Sequence, residues 1–349
     1  ADSYVKGLLD SYTIYVIPVI NPDGYEQSFV VNTRPNLRPQ DKNGDNIPFG
    51  DPYTDIDGDG FIATLYRGRA DDTPSRELPV FGMESPDWDG NGVLGDDPRT
   101  SGIDMNRTFD YQWNRYDIET KDGQQIGNVN WTTAGAAPAT EPEIRALQRF
   151  LYEKEIDALA SLHTGIQSVL YPWCYRAYDA ENPDDAEIPF MQETAAAMAQ
   201  AFEDYTGRGF YSMSSNEDYP TAAELIDYAY GRYKIHAYTI EVYSPGKSQS
   251  GDIAECKWEN TMPEAKWVFY DRDAIRDTLG LDPDAITDKD GAGLAADEGL
   301  WFYTSPTNQM VNRAPEEQDV MVRGCRDALL TMIEREPAGS GYRNPGYSK

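Results

Sequence analysis

The 349-residue sequence predicts an α/β fold, and three features carry that prediction. One is a continuous apolar, β-branched run from Thr13 to Ile20. A strand that is apolar throughout, with no alternation, is buried on both faces, as in the middle of a helix-covered sheet. Another is the alternation of helix-period and strand-period segments between 141 and 243. The last is a closing helix over 315–335, with Val320, Leu329, Leu330 and Ile333 among its apolar positions. Strands and helices in alternation build a sheet covered by helices.

Taken in order, residues 4–12 read as the tail of a helix that leads into the apolar run. Asn21-Pro22-Asp23-Gly24 then marks a tight turn. Between about 40 and 100 the composition shifts to Asp, Gly, Asn and Pro with little periodicity. This stretch reads as an acidic, loop-rich insertion that needs something to order it. Helical spacing returns at 141–155, with Thr140 as the cap, and Ala158 to His163 is a short strand ending on the histidine. Further helices are predicted over 188–205 and 220–230, and a strand over 234–243. There is no internal repeat and no low-complexity tail.

Asp and Glu number 60 against 30 Lys and Arg, a formal net charge of -30. Phosphate recognition needs clustered Lys and Arg, so nucleic acid is excluded as a partner. Such an excess of carboxylates suits an extracellular protein in a salty, screening medium. It equally suits carboxylates that bind calcium, and the two readings are compatible. No apolar run approaches the roughly 20 residues of a membrane span. A start at Ala1 without a basic-apolar leader fits a processed or truncated chain, and a secreted one. Three cysteines, Cys174, Cys256 and Cys325, allow one bridge and leave one thiol over.

Several residues have the chemistry of a site. His163 ends a predicted strand, where its imidazole can project into a crevice at the sheet's edge. Glu241 lies among apolar strand residues, where a carboxylate is costly to bury unless it is used or paired. Asn106 and Arg107 offer an amide beside a planar guanidinium, a pair suited to gripping a carboxylate. Asp55-x-Asp57-x-Asp59-Gly60 and Asp87-x-Asp89-x-Asn91-Gly92 place oxygens at alternate positions before a glycine, as calcium loops do. Asp41-x-Asn43-x-Asp45 is a weaker third, and none carries the position-12 glutamate of an EF-hand.

Four segments in fixed order extend this reading: Asn21-Pro22-Asp23-Gly24-Tyr25, Gly102-Ile103-Asp104-Met105-Asn106-Arg107, Ser161-Leu162-His163-Thr164 and Tyr238-Thr239-Ile240-Glu241-Val242. Together they resemble the pancreatic-type zinc metallocarboxypeptidases, from about Val5 to Arg335 and most weakly across 40–100 and 245–315. The resemblance implies a mixed, mostly parallel eight-stranded sheet sandwiched by helices, and zinc-dependent hydrolysis of peptide and protein C-termini. It makes His163 a zinc ligand and Glu241 the general base that takes a proton from zinc-bound water. Asn106 and Arg107 become the clamp on the substrate's terminal carboxylate. Arg38 becomes the group at the developing oxyanion, with Arg34 as its rival. Tyr219 becomes the tyrosine that caps bound substrate, and Ile226 the base of the specificity pocket, which suggests apolar or aromatic C-terminal residues. Glu224 departs from the small residue usual in the family and could admit basic ones.

The family also needs an earlier His-x-x-Glu pair to hold the zinc. Only two histidines are present, His163 and His236, and neither begins such a pair. The resemblance implies that this pair and several strands, one of them interior, lie ahead of Ala1. The fold is then incomplete without that segment, which is expected as an associated fragment of the same precursor or as a part missing from the sequence. The alternatives are an inactive protein on the same fold, binding peptides or serving as a calcium-stabilised structural component, and a deacylase.

Overall fold

Two separate sheets divide the chain between them. The computed structural model describes residues 3–28, 34–39, 41, 43–98, 102–115, 118, 134–242, 266–304 and 315–337. The helices, in chain order, are α1 Ser3–Ser11, α2 Pro22–Gln27, α3 Pro142–Glu153, α4 Ile188–Thr206, α5 Ser215–Asp218, α6 Leu225–Tyr233, α7 Arg272–Asp277 and α8 Pro315–Arg335. The strands are β1 Thr64–Gly68, β2 Val80–Met83, β3 Ala158–His163, β4 Ser168–Tyr171, β5 Tyr211–Ser214, β6 His236–Glu241, β7 Lys266–Tyr270 and β8 Gly299–Thr304. None of the described helices is long and apolar enough to cross a membrane.

The main sheet has the order β3-β6-β4-β5, and it is mixed: β3 with β6 and β4 with β5 are parallel, β4 with β6 antiparallel. Both faces of β6 are covered, which confirms the α/β class. Tyr238 and Ile240 pack with Met191, Met198 and Phe202 of α4 and with Met321 and Ala328 of α8. Ala237 packs with Ile144 and Leu147 of α3 and Ile226 and Ala229 of α6. Burial of each such aliphatic or aromatic side chain is worth about 1.5–3 kcal/mol.

The run Thr13–Ile20 departs from expectation. It is extended, but no described strand pairs with it, and Val16 is 77% exposed. It faces β3, an edge strand among the described residues, across a cavity of about 1740 Å³ lined by both segments and by Leu147, Phe150 and Leu151. An apolar run becomes a buried strand only where it has strands to pair with, and none of the described ones lies beside it. Asn21-Pro22-Asp23-Gly24 is likewise not a tight turn. Asn21 Oδ1 accepts the Gly24 amide at 2.9 Å, so the segment opens α2 with an Asn cap and a proline in its first turn. At α3 the cap is Glu141 rather than Thr140, and it makes no side-chain cap bond.

The stretch 40–100, expected to be loop-rich, does contain long turns. It also contains β1 and β2, and β1 pairs antiparallel with β8, Thr64 facing Tyr303. The second sheet, β2-β1-β8-β7, closes over its own core of Leu65, Phe81, Leu94, Ile275, Leu300 and Phe302. Cys174 and Cys325 are buried free thiols, and Cys256 lies outside the described residues.

Asp227 locks α6 to the chain after β4: it is fully buried, and its carboxylate accepts the Cys174 amide at 2.9 and 3.1 Å. Burial pushes its pKa up to about 7. A carboxyl raised by folding is protonated more readily in the native than in the unfolded chain. Its contribution to stability is therefore present in acid and is lost as pH rises through about 7. Denaturant titrations should show native stability falling between about pH 4 and pH 7, and Asp227→Asn should flatten that fall; an unchanged slope would refute the assignment.

Candidate active site

Parallel pairing of β3 with β6 brings the last residues of both strands level, His163 opposite Glu241. The imidazole Nδ1 lies 3.8 Å from Glu241 Oε1, and Nε2 is 3.1 Å from Ser161 Oγ. Burial pushes the His163 pKa down to about 4, helped by the positive charges of Arg34 and Arg107. Burial also pushes Glu241 up to about 8, with Asp218 adding to the rise and Arg34 opposing it. Glu241 Oε2 is buried with no hydrogen-bond partner among the described residues, a polar atom left open towards whatever the site receives.

A second pair of segments meets this corner. Asp104 Oδ1 accepts the Asn106 amide at 3.0 Å and starts the 3-10 turn Met105–Arg107. Gly102 crosses Asn36 so closely that a Cβ would stand 1.7 Å from the Asn36 carbonyl oxygen. Asn36 seals the crossing: its amide donates to Ile103 O at 2.9 Å, and its Oδ1 accepts the Ile103 amide at 2.8 Å. Arg34 is thereby held beside the 3-10 turn, with its Nε 2.8 Å from Asp104.

Arg107 is buried. Its Nη2 donates to Tyr219 Oη at 2.9 Å, and its Nη1 lies 2.9 Å from Glu224 Oε1. Asn106 Oδ1 accepts the Leu225 amide at 2.9 Å and Nδ2 donates to Glu224 Oε2 at 3.3 Å, so this side chain also fixes the start of α6. Tyr219 is half exposed, with its hydroxyl on Arg107.

Thus the structure gathers His163, Glu241, Asn106, Arg107 and Tyr219. Two sequence assignments fall elsewhere. Arg38 pairs elsewhere, 3.3 Å from the buried Glu141, and of the two rivals it is Arg34 whose charge acts on His163 and Glu241. Two arginines four positions apart look equivalent in sequence, and only the Asn36 crossing distinguishes them. Ile226 is 1% exposed in the core with Met105, Phe109 and Ile144, and Leu225 is the residue that lines the cavity. Glu224, which in sequence is only a departure from the family's usual small residue, is the buried partner of Arg107 and Asn106.

The described donors do not complete a catalytic zinc site, which takes three protein ligands. Only two groups of three or more His, Cys, Asp or Glu donors come together among the described residues: Asp41, Asp45 and Asp97, and Asp55, Asp57 and Asp59. Neither includes His163. The second is the Asp55–Asp59 motif, in which Asp55 accepts the Gly58 and Gly60 amides at 2.7 and 2.8 Å. In the Asp87–Asn91 loop, Asp89 Oδ2 accepts from Asn43 at 2.9 Å and Asn91 at 3.0 Å, tying this loop to the weaker Asp41–Asp45 motif.

The zinc carboxypeptidase family profile matches residues 1–261. Human mast cell carboxypeptidase A is 25% identical over 189 residues, 49% of this chain and 41% of that protein. Zinc carboxypeptidase A 1 of Drosophila melanogaster is 24% identical over 233 residues, 66% of this chain and 39% of that protein. The chain thus spans well under half the length of these relatives. Among solved structures, bovine thrombin-activatable fibrinolysis inhibitor in complex with tick carboxypeptidase inhibitor gives a TM-score of 0.34 at 21% identity, covering 51% of this chain and 52% of that one. Carboxypeptidase A from Helicoverpa armigera gives 0.33 at 18%, covering 46% and 38%. At those scores the superpositions add nothing to the chain's own geometry, but the profile match extends over most of the sequence: the chain belongs to the zinc carboxypeptidase family.

Proposed function

We propose that this chain carries the substrate-recognition and general-base half of a secreted zinc-dependent carboxypeptidase acting on peptide and protein C-termini. The observation that carries this reading is the level pairing of His163 with Glu241, beside a buried guanidinium and amide. Arg107 and Asn106 take the substrate's terminal carboxylate in a fork. Tyr219 releases Arg107 and closes over the bound residue. Glu241 accepts a proton from the attacking water and returns it to the departing amine. Arg34, not Arg38, faces the oxyanion that develops.

His163 alone gives negligible zinc affinity, so the remaining donors come from another segment, and the proposal places it in the cavity between Thr13–Ile20 and β3. A strand there would pair with the β3 edge and bury the apolar run, giving both segments hydrogen-bonded neighbours. A fragment of the same precursor is the proposed occupant. The acidic composition suits an extracellular, salt-rich medium.

A second reading is favoured by the incomplete donor set: a non-catalytic protein that grips C-termini or serves as a calcium-stabilised structural component. Zinc analysis of native material with release of C-terminal residues from blocked dipeptides separates the two. The catalytic reading expects about one zinc per complex and turnover that falls about 10²–10⁴-fold in Glu241→Gln with little change in KM. Zinc-free material that binds peptides without cleaving them would establish the second.

Calcium at Asp55, Asp57 and Asp59, and at the linked Asp41–Asp45 and Asp87–Asn91 loops, is proposed as a structural cofactor. A calcium-selective chelator should then lower the thermal midpoint of the wild-type protein. At a calcium concentration of about 100 Kd the ligand contributes roughly 2.7 kcal/mol. Asp57→Asn should blunt the response, and a midpoint indifferent to calcium would exclude the role.

A further inference from the structure

The terminal-carboxylate clamp already holds a carboxylate. Glu224 lies 2.9 Å from Arg107 Nη1 through one oxygen and accepts from Asn106 Nδ2 at 3.3 Å through the other. Thr221 Oγ1 donates to it as well. These are the two groups, approached by the two oxygens of one carboxylate, that a peptide C-terminus would use. Glu224 is 6% exposed and is the N-cap residue of α6, yet its side chain makes no cap bond. The helix start is held by Asn106 instead. The Glu224 carboxylate therefore does no work for the helix and is committed to the clamp.

A peptide carboxylate arriving at Arg107 brings a second negative charge into a buried corner that holds one guanidinium for the two. The other nearby arginine, Arg34, is paired with Asp104. Like charges pressed together away from water oppose binding unless a new cation arrives with the ligand. Leu225, one residue further on and 7% exposed, sets an apolar side chain beside Glu224.

We infer that Glu224 is the specificity-determining residue of this site, and that the chain selects peptides whose C-terminal residue is lysine or arginine. The terminal carboxylate displaces Glu224 from part of the Arg107 fork, and the side-chain cation takes up the freed Glu224 oxygen. An apolar C-terminal residue leaves Glu224 and the peptide carboxylate competing for one guanidinium. Ile226, by contrast, is 1% exposed within the core and does not touch this choice. The inference rests on the reading of Arg107 as the carboxylate clamp.

The test measures calorimetric binding and kcat/KM on the native protein for acetyl-blocked dipeptides ending in Arg, Lys, Phe or Leu. Wild type should favour Arg and Lys termini at least 10-fold. Glu224→Gln keeps the shape and the hydrogen bonds without the charge, and should erase that preference. Glu224→Ala should invert it, with tighter binding of Phe and Leu termini. Thermal midpoints of both variants check folding, and the glutamine variant decides if the alanine variant unfolds. A wild-type preference for Phe or Leu, or an Arg preference surviving in Glu224→Gln, overturns the inference while leaving the clamp standing. Peptides that bind no better to wild type than to Arg107→Ala would overturn the clamp reading itself, and this inference with it.

Discussion

Everything in the site depends on the register between β3 and β6. Side chains along a strand alternate with a period of two, so a slip of one residue would send His163 to the opposite face of the sheet from Glu241. That register is fixed from both sides. Tyr238 and Ile240 are fitted against α4 and α8, and Ala237 against α3 and α6. Hydrophobic packing in the middle of the strands thus sets the position of two polar side chains at their ends.

The corner built this way concentrates charge where water is scarce. Arg107 stays ionised against its own burial because Glu224 and Asp104 face it. Those same acids are balanced by Arg107 and Arg34. Glu241 differs, with a buried oxygen that has no partner among the described residues. Buried polar atoms are usually paired, and here a closed ion-pair network adjoins a carboxylate oxygen open to a further group.

What the sequence made legible was local. His163, Glu241, Asn106 and Arg107 sit in short segments whose secondary structure is dictated by their own residues, and all four meet in the fold. What escaped it was relational. Thr13–Ile20 has every property of a buried strand except a neighbour, and neighbours are not written in a segment's own composition. Asn21-Pro22-Asp23-Gly24 satisfies turn and helix-start rules equally well, and Tyr25, Glu26 and Gln27 settle the choice by continuing the helix. Arg34 and Arg38 are told apart only by the crossing of Asn36 over Gly102. The second sheet was hidden because β1 finds its partner far along the chain.

That distant pairing has a consequence for how the protein is made. Thr64 meets Tyr303 only after the whole main sheet has been synthesised between them. Closing so long a loop costs entropy before any contact repays it, and non-local antiparallel pairing is slow. The acidic turns that precede β1 stay without their sheet until β8 arrives. Like charge opposes self-association, and the aspartates across 41–59 suit a segment that must wait in this way.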